Sequence, residues 1–376
     1  MQMHLRLVSA LLAAVLVAAL VTLTPETARA QTGSCTTAGY TTTYTQCSDN
    51  RNAASTTVTS SETVLQAITQ TAGLVSDRIS SFARGGAPSV ASLGPSQRLG
   101  VIAVGSNGNI ATGKTRDADR QSGLAAGNGS PKLGLWVNGG YSSLDFDKSG
   151  SAFDGHIWSG AIGTDYRFSD RFIAGLAVGY ESGDFDTAFN QGTQESDGFT
   201  VSPYAVFLIN RAWSLDASFG YASLSYDLTR KDPITLTSIT GSTDATRWHG
   251  TANVTGHFSR DAWRYGLKAG AVHASEDRDG FTESNGVVQA AKTTDVGLVH
   301  VGGLLGYSFG KVEPYLSARG RWFYDDGGSS SDADAVLGLG VYLNLDGITG
   351  NLSATTVQGR DDTENYSVYG TIRVEF

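Results

Sequence analysis

The stretch Glu364–Phe376, ENYSVYGTIRVEF, decides the fold. Tyr366, Val368, Gly370, Ile372, Val374 and Phe376 fall on one side of an extended chain. Ser367, Tyr369, Thr371, Arg373 and Glu375 fall on the other. Successive side chains of a strand point to opposite faces, so this segment offers one face to hydrocarbon and one to water. A soluble sandwich also alternates. Repetition of the pattern through residues 133–376, behind an export signal, points instead to a closed barrel in a membrane.

Twelve such segments can be drawn, over 133–145, 155–168, 171–184, 197–210, 212–229, 244–259, 262–277, 294–309, 311–326, 333–346, 347–359 and 363–376. Each is long enough for the about 9–11 tilted residues that cross a bilayer. In the fifth, Trp213, Leu215, Ala217, Phe219 and Tyr221 oppose Ser214, Asp216, Ser218 and Gly220. In the sixth, Trp248, Ala252, Val254 and Phe258 oppose Arg247, His249, Thr251, Asn253 and His257. In the seventh, Trp263, Tyr265, Leu267, Ala269 and Ala271 oppose Arg264, Gly266 and Lys268. In the ninth, Val312, Leu316, Ala318, Trp322 and Tyr324 oppose Glu313, Arg319 and Arg321. Mid-strand charges therefore keep to one face. A Lys or Arg facing lipid at the midplane costs about 2–4 kcal/mol. Aromatic residues gather near strand ends (Trp136, Tyr166, Phe168, Phe172, Trp213, Trp263, Phe309, Trp322, Tyr324), as interfacial girdles require.

Five connections are tight: Ser169-Asp170, Asn210-Arg211, Arg260-Asp261, Gly310-Lys311 and Asp346-Gly347. The intervening ones are longer, such as Asp184–Ser196, Lys231–Thr243 and Asp277–Thr293. Short turns mark the periplasmic side of an outer-membrane barrel and long loops the external side. An even strand count then puts both barrel termini in the periplasm. Pro203 and Pro314 lie inside expected strands, where proline removes a ladder donor. They are taken as strand-start positions, with local bulges as the alternative.

Arg6, the apolar run Leu7–Leu23 and Ala28-Arg29-Ala30 before Gln31 have the layout of a cleaved signal peptide over residues 1–30. Its reader is the export translocon. A net charge of −9 argues against a nucleic-acid partner. Cys35 and Cys47 are the only cysteines, and in an oxidising compartment a disulfide between them is expected. Closing so short a loop is worth about 3 kcal/mol in the chain-entropy model.

Residues 31–130 form a separate short passenger or linker region. Val64, Ile68, Ala72, Val75, Ile79 and Phe82 share one face of an expected helix over 61–84. Thr59 and Glu62 serve as a capping box and Gly85-Gly86 as a stop. Residues 86–130 are rich in Gly, Ser and Ala and read as linker. No G-x-S-x-G, H-E-x-x-H or P-loop occurs, and Gly183-Asp184-Phe185 lacks a serine. His249 and His257 share a face but lie too far apart along the strand to share a metal. The acidic loop 325–334 reads as a solvated loop rather than a calcium site. No catalytic, cofactor or metal residue is assigned. The inward charges Asp216, Arg264, Lys268, Arg319, Arg321 and Arg373 are read as lumen contacts, solvated or paired.

Five further motifs carry a resemblance. They are Leu133-Gly134-Leu135-Trp136, Tyr166-Arg167-Phe168-Ser169-Asp170, Ala177-Val178-Gly179-Tyr180, Ser202-Pro203-Tyr204 and Glu313-Pro314-Tyr315-Leu316. With the terminal strand ending in Phe376, and in this order, they make residues 131–376 similar to the translocator domain of monomeric autotransporters (type V secretion). The resemblance implies an all-β, twelve-stranded antiparallel transmembrane β-barrel, a monomer, in the outer membrane of a Gram-negative bacterium. It implies contact with outer-membrane lipid and lipopolysaccharide. It also implies insertion by the barrel-assembly machinery through Tyr366, Val368, Ile372, Val374 and Phe376. The N-terminal region would be delivered to the cell surface, with adhesion as a role. It implies, too, a helix ahead of the first strand inside the pore. Residues 61–84 and the weakly helical Thr115–Ala126 are both candidates, and 61–84 as a periplasmic or surface helix stays open. The rival reading is a porin-like or structural barrel with a periplasmic N-terminal segment.

Overall fold

In the computed structural model the described residues are 33–37, 40–44, 63–68 and 132–375, the last range apart from 148–151, 189, 211, 233, 327–330, 346–347 and 361–362. The expected signal peptide, Cys47, the capping box, residues 69–84 and 115–126, and Phe376 lie outside them. The chain divides into two units, Met1–Ser48 and Asp49–Phe376. The first contains an antiparallel hairpin, β1 (Gly33–Thr37) and β2 (Tyr40–Tyr44), with Cys35 opposite Thr42.

The second unit contains a helical turn over residues 63–68, followed by strands β3 to β16. They are β3 (Leu133–Phe146), β4 (Phe153–Arg167), β5 (Phe172–Thr187), β6 (Gly192–Leu208), β7 (Trp213–Lys231), β8 (Ser238–Arg260), β9 (Trp263–Arg278), β10 (Phe281–Thr282), β11 (Val288–Gln289), β12 (Lys292–Tyr307), β13 (Val312–Asp325), β14 (Ala333–Leu345), β15 (Ile348–Gln358) and β16 (Thr363–Glu375). β10 and β11 form a small hairpin of their own. The other twelve close an antiparallel barrel in chain order, with β16 paired to β3 across the seam. Residues facing lipid are exposed and aliphatic or aromatic, for example Ile162, Leu215, Leu267, Val301, Leu352 and Ile372. Those facing the lumen include buried Ser142, Ser214, Thr251, Asn253, Ser367 and Arg373.

The twelve expected strands are these twelve, with most ends moved by one to three residues and two starts by more. β6 starts at Gly192 rather than 197, and β8 at Ser238 rather than 244. The ladders continue past the bilayer as ribbons, so loop 188–191 is no longer than turn 168–171. Loop length therefore does not separate the two ends at every connection. The turns themselves are locally determined. Asn210 Oδ1 accepts from the N–H groups of Ala212 and Trp213 at 2.8 and 3.0 Å, and Ser169 Oγ does the same for Arg171 and Phe172. Two residues join β8 to β9, with Asp261 in the left-handed region at φ 55°. Outside the membrane, Asp232 accepts from Ile234 and Thr235 N–H, and the Thr235 bond foremost holds its carboxyl below the usual range.

One of the two prolines needs correction. Pro203 is not at a strand start; it pairs with Leu176 of β5 inside β6. No bulge forms either. The β6–β7 pairing passes from Val201↔Tyr221 to Tyr204↔Ser218 in unchanged register, so the missing donor falls on the β7 side. Pro314 sits two residues into β13 and pairs only with Val341 of β14, because the ladder to β12 begins at Tyr315.

Lipid-facing aromatics repeat at eight-residue spacing: Tyr166 and Trp158, Phe172 and Tyr180, Phe207 and Phe199, Trp213 and Tyr221. At about 3.4 Å per residue and a tilt of about 35–45°, the pairs span roughly 20 Å along the membrane normal, close to a bilayer's apolar band once ring widths are added. Beyond the outer girdle the outward face turns acidic. Asp145 sits opposite Asp154 and Glu364, Asp154 opposite Asp186, and Asp184 opposite Glu195, which faces Asp227. Carboxylates there mark the end of the hydrocarbon.

Two predictions follow from this surface. Ile162 lies midway between Tyr166 and Trp158, so Ile162→Lys is expected to cost about 2–4 kcal/mol in denaturant unfolding from lipid vesicles. Like charges in register repel, so Asp154→Asn is expected to stabilise by about 0.2–1 kcal/mol at low salt, with the gain fading as salt is raised.

Candidate functional site

The lumen is where this fold concentrates unusual chemistry. Eight strands are just filled by their own side chains; twelve leave a space that something else must occupy. At the outer end that occupant is the 63–68 turn, all six residues of which are buried. Val64, Leu65 and Ile68 pack on Ala274, Val296 and Leu298, with Val272 and Phe323 beside them. Ala67 packs on the opposite wall, against Leu144, Phe146, Phe153, Ile157 and Phe185. Gln66 reaches a third side: Asn365 Nδ2 donates to its Oε1 at 2.6 Å and its Nε2 donates to Ser367 Oγ at 3.3 Å. Ser367 pairs with Ser142, next to Tyr141, which pairs with Trp158 of the outer girdle, so the plug sits level with that girdle. The part of the expected 61–84 helix that is described therefore lies in the lumen.

The remaining arc of the mouth is covered by the connection 279–291. Phe281 points inward and joins Ala222, Leu224, Tyr226, Leu228 and Ala245. Arg230 holds Glu283 through Nε at 2.9 Å and Nη2 at 2.5 Å, with both side chains 4% exposed. Just below, Arg247 ties two walls together. It donates to Glu181 Oε1 at 2.6 Å across the lumen and to Glu276 Oε2 at 2.8 Å, while Tyr226 donates to Glu276 Oε1 at 2.9 Å.

At mid-depth, Asn253 Nδ2 donates to Asp216 at 2.6 Å and its Oδ1 meets His300 Nε2 at 3.0 Å. Gly270 is the floor beneath this pair; a Cβ there would meet Asn253 Oδ1 at 2.2 Å. At the periplasmic end Trp136 Nε1 donates to Tyr204 Oη at 2.8 Å. Tyr204 in turn donates to Asp165 at 3.2 Å, and Arg373 of the last strand reaches the other oxygen of Asp165 at 3.3 Å. Below the plug a cavity of about 170 Å³ remains, lined by Gln66, Lys268, Arg319, Arg321, Tyr315 and Tyr369 among others.

Of the inward charges expected from sequence, Arg321 pairs with Asp334 at 2.6 Å, Arg264 with Glu313 at 3.7 Å and Arg373 with Asp165. His249 and His257 both face the lumen on β8, and among the described residues no group of three or more His, Cys, Asp or Glu is placed to hold a metal. Part of loop 325–334 lies outside them. Trp136 is a correction: it is not a girdle residue but is 1% exposed and points inward. Its parity gives this away, since it shares a face with Asn138 and Ser142, opposite Leu135 and Val137. Sequence reasoning also missed Asp165, Glu181, Glu276, Glu283 and Gln66, whose partners lie on strands distant in the chain.

A family model described as the autotransporter beta-domain matches residues 135–371. The chain belongs to that family. Its barrel is an outer-membrane translocator of a Gram-negative bacterium, of the type that secretes a passenger. Among solved structures it resembles the translocator domain of autotransporter NalP from Neisseria meningitidis, at 13% identity and a TM-score of 0.59, covering 66% of this chain and 90% of that one. It also resembles the β-domain of the Bordetella autotransporter BrkA, at 18% identity and 0.57, covering 65% of this chain and all of that one. Among curated proteins, esterase EstA of Pseudomonas aeruginosa is 26% identical over 174 residues, 43% of this chain. The chain spans about a quarter of the length of that relative, 27%.

The periplasmic clasp is a closing element, because it joins the first strand pair to the last strand. Gly163 makes room for the Trp136 indole, and a Cβ there would lie 2.3 Å from it; Gly139 has only Ser159 O at 3.7 Å. Gly163→Val is therefore expected to cost at least about 1–3 kcal/mol and to raise the fraction of barrel that runs unfolded on unheated gels. Gly139→Ala is expected to leave that fraction unchanged.

Proposed function

We propose that residues 31–62 are the passenger, carried out through this lumen and held at the cell surface while the 63–68 turn stays behind as the stopper. The observation that supports this is the position of the turn. It lies at the outer mouth, with Gln66 bonded to Asn365 and Ser367 at the outer end of β16, whereas β3 starts at the periplasmic end. The chain ahead of residue 63 therefore has the exterior as its nearest exit. The short passenger is read as non-enzymatic, since residues 31–62 contain none of the nucleophile or metal-ligand patterns sought above. The esterase in the name of the EstA relative is said of that longer protein. Adhesion is the role that suits a short, Thr- and Ser-rich surface segment.

The same reading includes partners. The barrel-assembly machinery would recognise the lipid face of β16, where Val368 and Ile372 are 47% and 56% exposed, together with Tyr366, Val374 and Phe376. The export translocon would deliver the chain, outer-leaflet lipopolysaccharide would surround the outer girdle, and the barrel would act as a monomer.

An epitope tag placed after Gln31 tests the proposal on intact cells. Labelling without permeabilisation, removed by external protease while the barrel persists, is the expected outcome. Labelling only after the outer membrane is opened would favour a pore with a periplasmic N-terminal segment.

A further inference from the structure

The plug does not seal the barrel alone. It contacts β9, β12 and β13 on one wall, β3, β4 and β5 on the other, and β16 between them. The arc it leaves, at β7 and β8, is filled by the hairpin β10–β11. We propose that this hairpin is a separate lid, and that it opens independently of the plug to set the width of the outer mouth. The proposal rests on the reading of the lumen as the translocation path.

Three features make it a lid rather than part of the wall. Its strands are two residues each, too short for a hairpin to be stable by itself. It lacks a continuous ladder to the barrel: beyond Asp279, whose N–H donates to Asp244 O at 2.9 Å and whose carbonyl accepts from Thr243 Oγ1 at 2.8 Å, one reciprocal contact, Ser284 N to Thr240 O at 2.8 Å and Thr240 N to Ser284 Oγ at 3.0 Å, joins it to β8. It is instead held by detachable anchors. Phe281 inserts over Gly241, where a Cβ would come within 2.5 Å of the ring, and Arg278 lies 5.4 Å above the ring centroid. Glu283 is gripped by Arg230. Both anchors are buried at the mouth, beyond the hydrocarbon, so they can be released without exposing unpaired backbone to lipid. Elements that must move are drawn from the weakly anchored part of a fold.

The test is single-channel recording of the refolded full-length chain, each variant first shown to be folded by its gel shift on heating. Ile68→Asp loosens the plug. To it are added either Phe281→Ser with Glu283→Gln, to free the lid, or Thr240→Cys with Ser284→Cys, to lock it. Cys35→Ser and Cys47→Ser remove the native thiols throughout. The expected result is a small step for Ile68→Asp, a larger one with the lid freed, and a step below that of Ile68→Asp when the locked variant is oxidised. Dithiothreitol should bring that variant's step back to the one seen for Ile68→Asp alone. Equal steps with the lid freed and locked would overturn the lid while leaving the pore standing. No conductance in any variant would overturn the pore reading and the lid with it.

Discussion

Everything in this molecule follows from one constraint: backbone N–H and C=O groups inside hydrocarbon have no water to bond. A helix meets that constraint within itself; a sheet meets it only by closing. Closure here is the ladder between the last strand and the first, running from Thr363↔Phe146 to Glu375↔Gly134. It consumes the two edges that would otherwise be open. Once closure is required, the strand count fixes the lumen, and twelve strands make a lumen that their own side chains do not fill. The plug, the lid, the cross-lumen ion pairs and the residual cavity are all consequences of that excess space.

The second consequence is visible in the phase of the alternation. Along β7, Leu215, Ala217, Phe219 and Tyr221 face out and are apolar. Above Tyr221 the phase reverses: Ser223, Ser225 and Asp227 face out, while Ala222, Leu224, Tyr226 and Leu228 face in. β3 and β5 do the same, with Leu144 and Phe146 inward against Asp145 outward, and Phe185 inward against Asp184 and Asp186 outward. The reversal falls at the outer girdle. Below it, hydrocarbon is outside and water inside. Above it, water is outside and the apolar plug or lid is inside. The chain has one period throughout, and the sign of the period reports which side is dry.

This explains what could be read from the sequence. Strand number, order and lipid face were legible because they depend on local alternation, and alternation survives a register error of a residue or two. The orientation was read from the short turns, a rule that loop 188–191 does not follow. Trp136 was misplaced because aromatic residues near strand ends were counted without their parity. The lumen pairs were hidden for a different reason. Arg247 with Glu181, Arg373 with Asp165, and Gln66 with Asn365 join elements separated by two or more strands or by most of the chain. No local pattern encodes such distances; only register around the closed barrel does. Pro203 is intermediate: its presence in a strand was legible, but the side on which the missing donor falls depends on both neighbours.

The buried charges of the lumen deserve a physical reason, since ion pairs away from bulk water rarely gain much over apolar packing. A water-filled bore cannot be packed with aliphatic side chains without ceasing to be a bore. Polar pairs that span strands fix the wall's shape while leaving the space wet. The outer seal has the opposite need and uses apolar contacts. Its seat is assembled from β9, β12 and β13, from β3, β4 and β5, and from Asn365 and Ser367 of β16. Ser367 also accepts a hydrogen bond from Ser142 of β3 at 2.9 Å, so part of that seat straddles the seam. The seat is complete only when β16 lies against β3. A plug that fits this surface can therefore be held only after the barrel has closed, which places closure ahead of sealing whatever route the chain takes through the pore.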